Sequence, residues 1–267
     1  MEKWLDIFRK IGEEASKVTM DIYGKEEAKK KIKRGAAGDI TRGIDQAVED
    51  IILKRLKGIG NVKLISEEIG TVELGEPEGI VISDPLDGSG NAKDGIPLFS
   101  ISLAFTKNEP RVGEIEVGYV RNLITGDEYH GIKGQSSFLN GKRINTSNEM
   151  VLSAVGFELY PHTTFNLQKA MRVMDRVKRV RCFGSVALDL CFVAQGALSG
   201  FCDFRDVCRL LDISASSLIL KEAGGIITDD KGKSIENKMI DLKNHSNLIA
   251  AQNSDLHSQL LKISDGI

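Results

Sequence analysis

The sequence predicts a two-part mixed α/β protein: an α+β N-terminal part built on an antiparallel sheet, followed by an α/β C-terminal part. Three observations carry this. Apolar residues recur at helical spacing over the first 60 residues. From residue 62 onward short β-rich runs are separated by turn signals, and beyond about residue 150 such runs alternate with helical ones. The 267 residues contain no long polar or Pro-rich linker, so the division is into closely packed subdomains, 1–148 and 149–267.

In residues 2–23, Trp4, Ile7, Phe8, Ile11, Ala15, Val18 and Ile22 mark one face of an amphipathic helix, with Gly24 as its C-terminal cap. Residues 25–38, basic and then Gly/Ala-rich, read as a mobile loop. Ala47, Val48, Ile51, Ile52, Leu56 and Ile59 mark a second helix. The runs VKLIS, GIVIS, LFSISLAF, EIEVGYVRN and DEYHGI follow as strands, with a further turn at Asn140-Gly141. In the second half, VLSAVGF, RVRCF, SGFCDF, GGIIT and LIAAQ are strands, and 164–175, 186–195, 212–223 and 254–263 are helices.

With 41% hydrophobic residues and 36 basic against 38 acidic side chains, the chain has the composition of a globular protein. A net charge of −2 gives no global attraction for nucleic acid or an anionic membrane surface. The charged N-terminus is unlike a signal peptide, and no window approaches a membrane span, so the expected location is the cytoplasm. Cys182, Cys191, Cys202 and Cys208 lack CxxC spacing, and most of them read as buried small hydrophobes. A Cys202/Cys208 or Cys182/Cys191 disulfide stays open for an oxidising or hyperthermophilic cell.

The most informative stretch is Ser83-Asp84-Pro85-Leu86-Asp87-Gly88-Ser89-Gly90-Asn91, directly after the apolar run 79–82. Pro85 favours a tight turn that brings Asp84 and Asp87 to one side, and the Leu86 carbonyl joins them as an oxygen donor for a hard cation. The glycines allow backbone N–H groups to approach an anion. An ordinary Asp-Gly hairpin turn is the bland alternative. The D-x-x-D-G spacing is not that of an EF-hand, and the full G-x-x-x-x-G-K-[ST] pattern of a P-loop does not occur, since Gly232-Lys233-Ser234 has Ile227 where the first glycine would stand. Glu67-Glu68 again places carboxylates at a strand end. Asp212 opens a helical pattern, where it serves either as a simple N-cap or as part of a site.

Glu67-Glu68, D84-P-L-D87-G-S-G-N91 and L211-D212-I-S-A-S-S-L-I-L-K-E-A-G-G225 together resemble, in order and separation, the signature regions of the inositol monophosphatase/fructose-1,6-bisphosphatase superfamily. Thr41-x-x-x-Asp45 extends the match, which spans nearly the whole chain. The resemblance implies the layered α-β-α-β-α sandwich of the sugar phosphatase fold, commonly dimeric. It also implies two or three Mg²⁺ ions held by Glu67, Asp84, the Leu86 carbonyl, Asp87 and Asp212, with Glu68 the lesser of its pair. Glu67 would orient and deprotonate the metal-activated water, while Asp45 would partner the hydroxyl of Ser89, which stands where the family more often has threonine. Asp87, Gly88 and Ser89 would face the phosphate. Arg34 is the nearest counterpart of a family lysine in the loop before Asp45. Leu211 replaces a tryptophan, a departure that bears on pocket shape rather than on metal binding.

Arg205, seven residues before Asp212, stands where many inositol monophosphatases carry an acid and points to the archaeal-type bifunctional branch. Its guanidinium would hold a second phosphate, with Arg181, Gly184 and Ser185 lining the sugar-facing segment. The expected reactions are hydrolysis of fructose 1,6-bisphosphate to fructose 6-phosphate and of myo-inositol 1-phosphate to inositol. The partners are accordingly a small-molecule sugar phosphate and a second copy of the chain. The alternatives are a 3′-phosphoadenosine 5′-phosphate phosphatase, or a regulatory protein that keeps the fold and binds a macromolecule.

Overall fold

The computed structural model describes residues 1–38, 40–159 and 166–267. Helix α1 (Glu2–Ile22) buries Leu5, Phe8, Ile11 and Ala15, and Gly24, at φ 73°, turns the chain after it. The segment expected to be a loop instead holds a short helix, α2 (Glu26–Lys29), and a hairpin, β1 (Lys31–Arg34) with β2 (Ile40–Arg42). Every residue of β1 is exposed, so no alternation of apolar and polar residues announced it. Helix α3 (Gly43–Ile59) buries Ile44, Val48, Ile52 and Leu56.

An eight-stranded sheet follows from β3 (Val62–Ser66), β4 (Gly70–Leu74), β5 (Ile80–Asp87), β6 (Ser100–Thr106), β7 (Val117–Asn122), β8 (Glu128–Ile132), β9 (Ser136–Leu139) and β10 (Lys142–Ile144). Its order is β10-β9-β8-β7-β6-β5-β3-β4, and a short helix, α4 (Ser89–Asp94), leaves the end of β5. The sheet is antiparallel except that β3 and β5 run parallel. Because β4 folds back onto the outer side of β3, β5 can reach β3 only from its other side.

A five-stranded sheet is formed by β11 (Ala154–Phe157), β12 (Arg179–Arg181), β13 (Gly200–Asp203), β14 (Ile226–Thr228) and β15 (Leu248–Ala251), in the order β12-β11-β13-β15-β14. Its three leading strands are parallel and the rest antiparallel. Four helices accompany it: α5 (Leu167–Arg176), α6 (Val186–Ala194), α7 (Ser214–Glu222) and α8 (Ser254–Asp265). Of the first three residues expected in α5, 164 and 165 fall outside the described residues and Asn166 is the N-cap.

Three apolar cores tie the layers together. Helices α1 and α3 pack on the outer face of the large sheet, where Trp4 stacks on Phe105 with ring centroids 4.2 Å apart. Both α6 and α7 lie between the sheets, sharing a core with Ile65, Ile82, Ala104 and Phe201. The far face of the small sheet is covered by α5 and α8. The order of layers is therefore α-β-α-β-α. Helix α7 approaches β7 so closely that a Cβ on Gly118 would lie 2.5 Å from the Ala215 carbonyl oxygen.

No helix among the described residues is long and apolar enough to cross a membrane. All four cysteines are free, with Cys182 exposed and the other three buried, so neither disulfide considered from the sequence is formed.

Candidate active site

The site forms where the ends of β3 and β5 meet the turn that precedes α7. Strand β5 does not end at Ile82 in a tight turn, as its apolar run suggests, but continues through Asp84-Pro85-Leu86-Asp87. Opposite β6 it pairs Asp84 with Ser102 and Asp87 with Ser100, so three steps along β5 face two along β6. Pro85 has no N–H to give the ladder, and the bulge takes up the extra residue. Both acids thus hang from a rigid central strand. Leu86 lies between them, its N–H donating to Asp84 Oδ1 at 3.0 Å and its side chain buried in the outer core.

Glu67 begins the turn after β3, its N–H bonded to the Ser83 carbonyl at 3.2 Å. Asp212 comes from the second half of the chain. It is not the N-cap of α7, which starts at Ser214 after Ile213. Instead it sits in a turn pinned by Leu210 N–H to the Asn244 carbonyl (3.0 Å) and Ser246 N–H to the Cys208 carbonyl (2.9 Å). Carboxylate oxygens of Glu67, Asp84 and Asp212 all lie within 4.8 Å of one another.

Electrostatics show the strain of this arrangement. Burial, then the charges of Glu67, Asp87 and Asp212, hold Asp84 well above the usual carboxylate range. Burial likewise raises Glu67 and pushes Asp212 up to about 7, in both cases against the opposing charge of Arg209. Acids packed this way repel unless a cation joins them. The donors are all oxygen, with no nitrogen or sulfur ligand among them, which suits a hard divalent ion such as Mg²⁺.

The fourth expected carboxylate is close by but differently engaged. Asp87 Oδ2 accepts from the Ser185 hydroxyl (2.5 Å) and the Ala187 N–H (2.9 Å), and Oδ1 from the Val186 N–H (3.2 Å). It therefore caps the start of α6 across the boundary between the two sheets, and burial pushes it up to about 6. Gly184, at φ 75°, makes this junction with Gly88, at φ 89°: a Cβ on Gly88 would lie 2.9 Å from the Gly184 carbonyl oxygen. Asn91 reinforces it by donating to the carbonyls of Leu98 and Phe183, each at 2.7 Å.

Several expectations need correction. Asp45 is buried at the start of α3, where its Oδ2 accepts the Arg42 N–H at 2.6 Å and its Oδ1 has no hydrogen-bond partner. The bond expected with the Ser89 hydroxyl is not made: Oδ2 caps the helix and Oδ1 stays without a partner. Ser89 itself is half-buried at the start of α4. Arg181 lies exposed on the edge strand β12, bonded to the Val180 carbonyl, and does not join the acids. Arg205 is buried, and its Nε and Nη2 are taken by Asp203 (2.9 and 2.5 Å), with Nη1 3.7 Å from Glu158. Its fork thus grips a neighbour two residues away rather than standing open. Arg34 is exposed and bonds the Gly38 carbonyl. Glu68 turns away from the cluster and accepts the Thr41 hydroxyl.

One residue of the centre escaped the sequence reading. Arg209 Nη2 donates to Glu67 Oε1 at 2.5 Å, and its Nε to Asp212 Oδ1 and Oδ2 at 3.1 and 3.2 Å. Its spacing of three from Asp212 was the available signal.

The layered sheets thus gather an all-oxygen acidic centre at the strand ends, the kind of site that suits a hard divalent cation. The family model for the inositol monophosphatase family matches residues 1–267, and the chain belongs to that family. It is 35% identical to a fructose-1,6-bisphosphatase/inositol-1-monophosphatase of Methanothermobacter thermautotrophicus, over 97% of this chain and 95% of that protein. It is also 34% identical to a bifunctional NADP phosphatase/NAD kinase of Methanococcus maripaludis, over 97% of this chain but 49% of that protein. A solved structure from Pyrococcus horikoshii, described as having similarities to inositol-1 monophosphatase, superposes with a TM-score of 0.85 at 31% identity, covering 98% of each chain. The protein is a phosphatase.

Proposed function

We propose that the protein is a Mg²⁺-dependent sugar-phosphate phosphatase that hydrolyses the 1-phosphate of fructose 1,6-bisphosphate and of myo-inositol 1-phosphate. The observation that carries this is the meeting of Glu67, Asp84 and Asp212 within 4.8 Å, from three separated segments. A divalent cation held there supplies charge stabilisation to the phosphoryl oxygens and acidifies a water. Asp84 and Asp212 would hold the ion from the ends of two different layers. Glu67, beside both, orients the attacking water and accepts its proton. The water oxygen bonds to phosphorus as the P–O bond to the sugar breaks, and the sugar oxygen takes a proton from solvent water and leaves as an alcohol. Ser89 and the N–H groups that open α4 are the donors assigned to the phosphate.

The substrate choice draws on the names of the relatives, several of which are fructose-1,6-bisphosphatase/inositol-1-monophosphatases at 33–36% identity. A second reading, the phosphate of a nucleotide such as NADP, is favoured by one observation. Two bifunctional NADP phosphatase/NAD kinases match at 34% and 33% identity, as well as the sugar phosphatases do. Phosphate release from fructose 1,6-bisphosphate, inositol 1-phosphate, 3′-phosphoadenosine 5′-phosphate and NADP, each with Mg²⁺ and with EDTA, separates the readings. The proposal expects the two sugar esters to be cleaved only with Mg²⁺. High kcat/KM for a nucleotide with both sugar esters ignored would overturn the substrate, and equal turnover in EDTA would overturn the metal.

A further inference from the structure

Arg209 already supplies a cation to the acidic centre, and it does so across the layers. Glu67 belongs to the turn after β3 in the large sheet, whereas Arg209 and Asp212 belong to the turn that leads from the small sheet into α7. The guanidinium reaches both, with Nη2 on Glu67 Oε1 at 2.5 Å and Nε between the two oxygens of Asp212. Its backbone cannot drift, because Leu210 and Ser246 anchor the turn on both sides and Arg209 bridges His245. Its side chain is the more open part, 20% exposed against 13% for each of the two carboxylates it holds. A planar fork on a fixed stem, with an outward route, can hold the acids and can also let them go.

The oxygens that Arg209 holds are among those that a divalent ion needs. We propose that Arg209 is the built-in counter-ion of the metal-binding carboxylates. It keeps Glu67 and Asp212 in register across the two halves of the chain and competes with the incoming cation for their oxygens. This deepens the metallophosphatase reading and rests on it. A guanidinium and a metal ion cannot share Glu67 Oε1 and both oxygens of Asp212 without cost, so cation binding must displace at least part of the fork. Arg209 is accordingly a positioning residue that sets how much free Mg²⁺ the protein requires.

The sign of its effect separates this role from that of an ordinary structural ion pair. Losing a structural pair would loosen the ligands and weaken cation binding, whereas losing a competitor strengthens it. The test is calorimetric titration of Mg²⁺ into EDTA-stripped, dialysed wild type, Arg209→Gln and Arg209→Lys, with thermal unfolding of each in EDTA. Arg209→Gln is expected to bind Mg²⁺ more tightly by on the order of tenfold, the scale of a lost charge-assisted pair. It should also melt lower than wild type in EDTA and recover more on adding Mg²⁺. Arg209→Lys, which keeps the charge without the fork, should shift affinity in the same direction by less, and it carries the test if the glutamine variant does not fold. Unchanged or weaker Mg²⁺ binding in a folded variant would overturn the inference while leaving the metallophosphatase reading intact. Wild type that binds no Mg²⁺ would overturn both.

Discussion

Asp84 and Asp212 are held on different layers by different devices, one by a bulge at Pro85 and the other by a turn tied to residues 244–246. Replacing either carboxylate by an amide removes a ligand oxygen's charge without changing shape. Asp84→Asn and Asp212→Asn are therefore expected to stay folded and to lose Mg²⁺-dependent turnover by at least about 100-fold, beyond the range seen when residues outside the ligand set are changed. Because Asp84→Asn relieves repulsion among buried acids, it should not lower the melting temperature in EDTA, whereas Asp212→Asn, which also takes the anionic partner from Arg209, should lower it. Steady-state phosphate release with thermal unfolding checks both statements. Glu67 and Asp84 were legible in the sequence, since an apolar strand followed by a carboxylate places that carboxylate at the sheet's end, whereas Asp212, in a turn before α7, joined them only through the family resemblance. The engagement of the basic residues was not. Arg205 looked open in sequence, but Asp203 lies two positions away on the same extended segment and takes its fork. Arg209 drew no reading from the sequence, and only the folded chain brings Glu67, 142 positions away, to its guanidinium.

Elements with strong periodicity, α1, α3 and most strands of the large sheet, could be read from the chain because burial on one face imposes the pattern. The hairpin of β1 and β2 could not, since all of β1 is exposed and three of its four residues are basic. The parallel pairing of β3 with β5 was also hidden, because it depends on β4 occupying the outer edge rather than on any local signal. Helix α7 matters most among the elements, for it packs under the large sheet and continues from the turn that carries Asp212. Its seam with β7 tolerates no side chain at Gly118, where a Cβ would meet the Ala215 backbone at 2.5 to 3.2 Å. Gly118→Ala is expected to cost about 1–3 kcal/mol, the range for overpacking a close seam. Urea unfolding should show this as a lower midpoint at unchanged slope, and a midpoint equal to wild type would contradict the packing.

Across the whole molecule, buried acids accumulate beyond the cluster itself. Burial, in each case the largest influence, pushes Asp45, Glu49 and Glu158 up to about 7 from ordinary values of 3.8, 4.5 and 4.5. A carboxyl whose pKa is higher folded than unfolded binds more protons in the native state, so it favours folding at low pH and loses that contribution as pH rises towards 7. The EDTA-treated protein is therefore expected to be more stable at pH 5 than at pH 8. Glu49 allows the effect to be isolated. It lies behind β3, with Oε2 accepting the Ser66 hydroxyl and Oε1 without a partner. Glu49→Gln should flatten the dependence between pH 5 and 8, gaining up to about 2–3 kcal/mol over wild type at pH 8. Parallel slopes in the two proteins would show that Glu49 is already charged in the fold.

The claim on which the function depends is that three carboxylates from distant parts of the chain share one cation. Anomalous diffraction from crystals grown with Mn²⁺ in place of Mg²⁺ tests it directly. The account predicts a peak in direct coordination with Glu67, Asp84 and Asp212, with the Arg209 guanidinium withdrawn from at least one of its two carboxylates. Saturating Mn²⁺ that left no peak among those oxygens, or a peak bound only elsewhere on the protein, would contradict it.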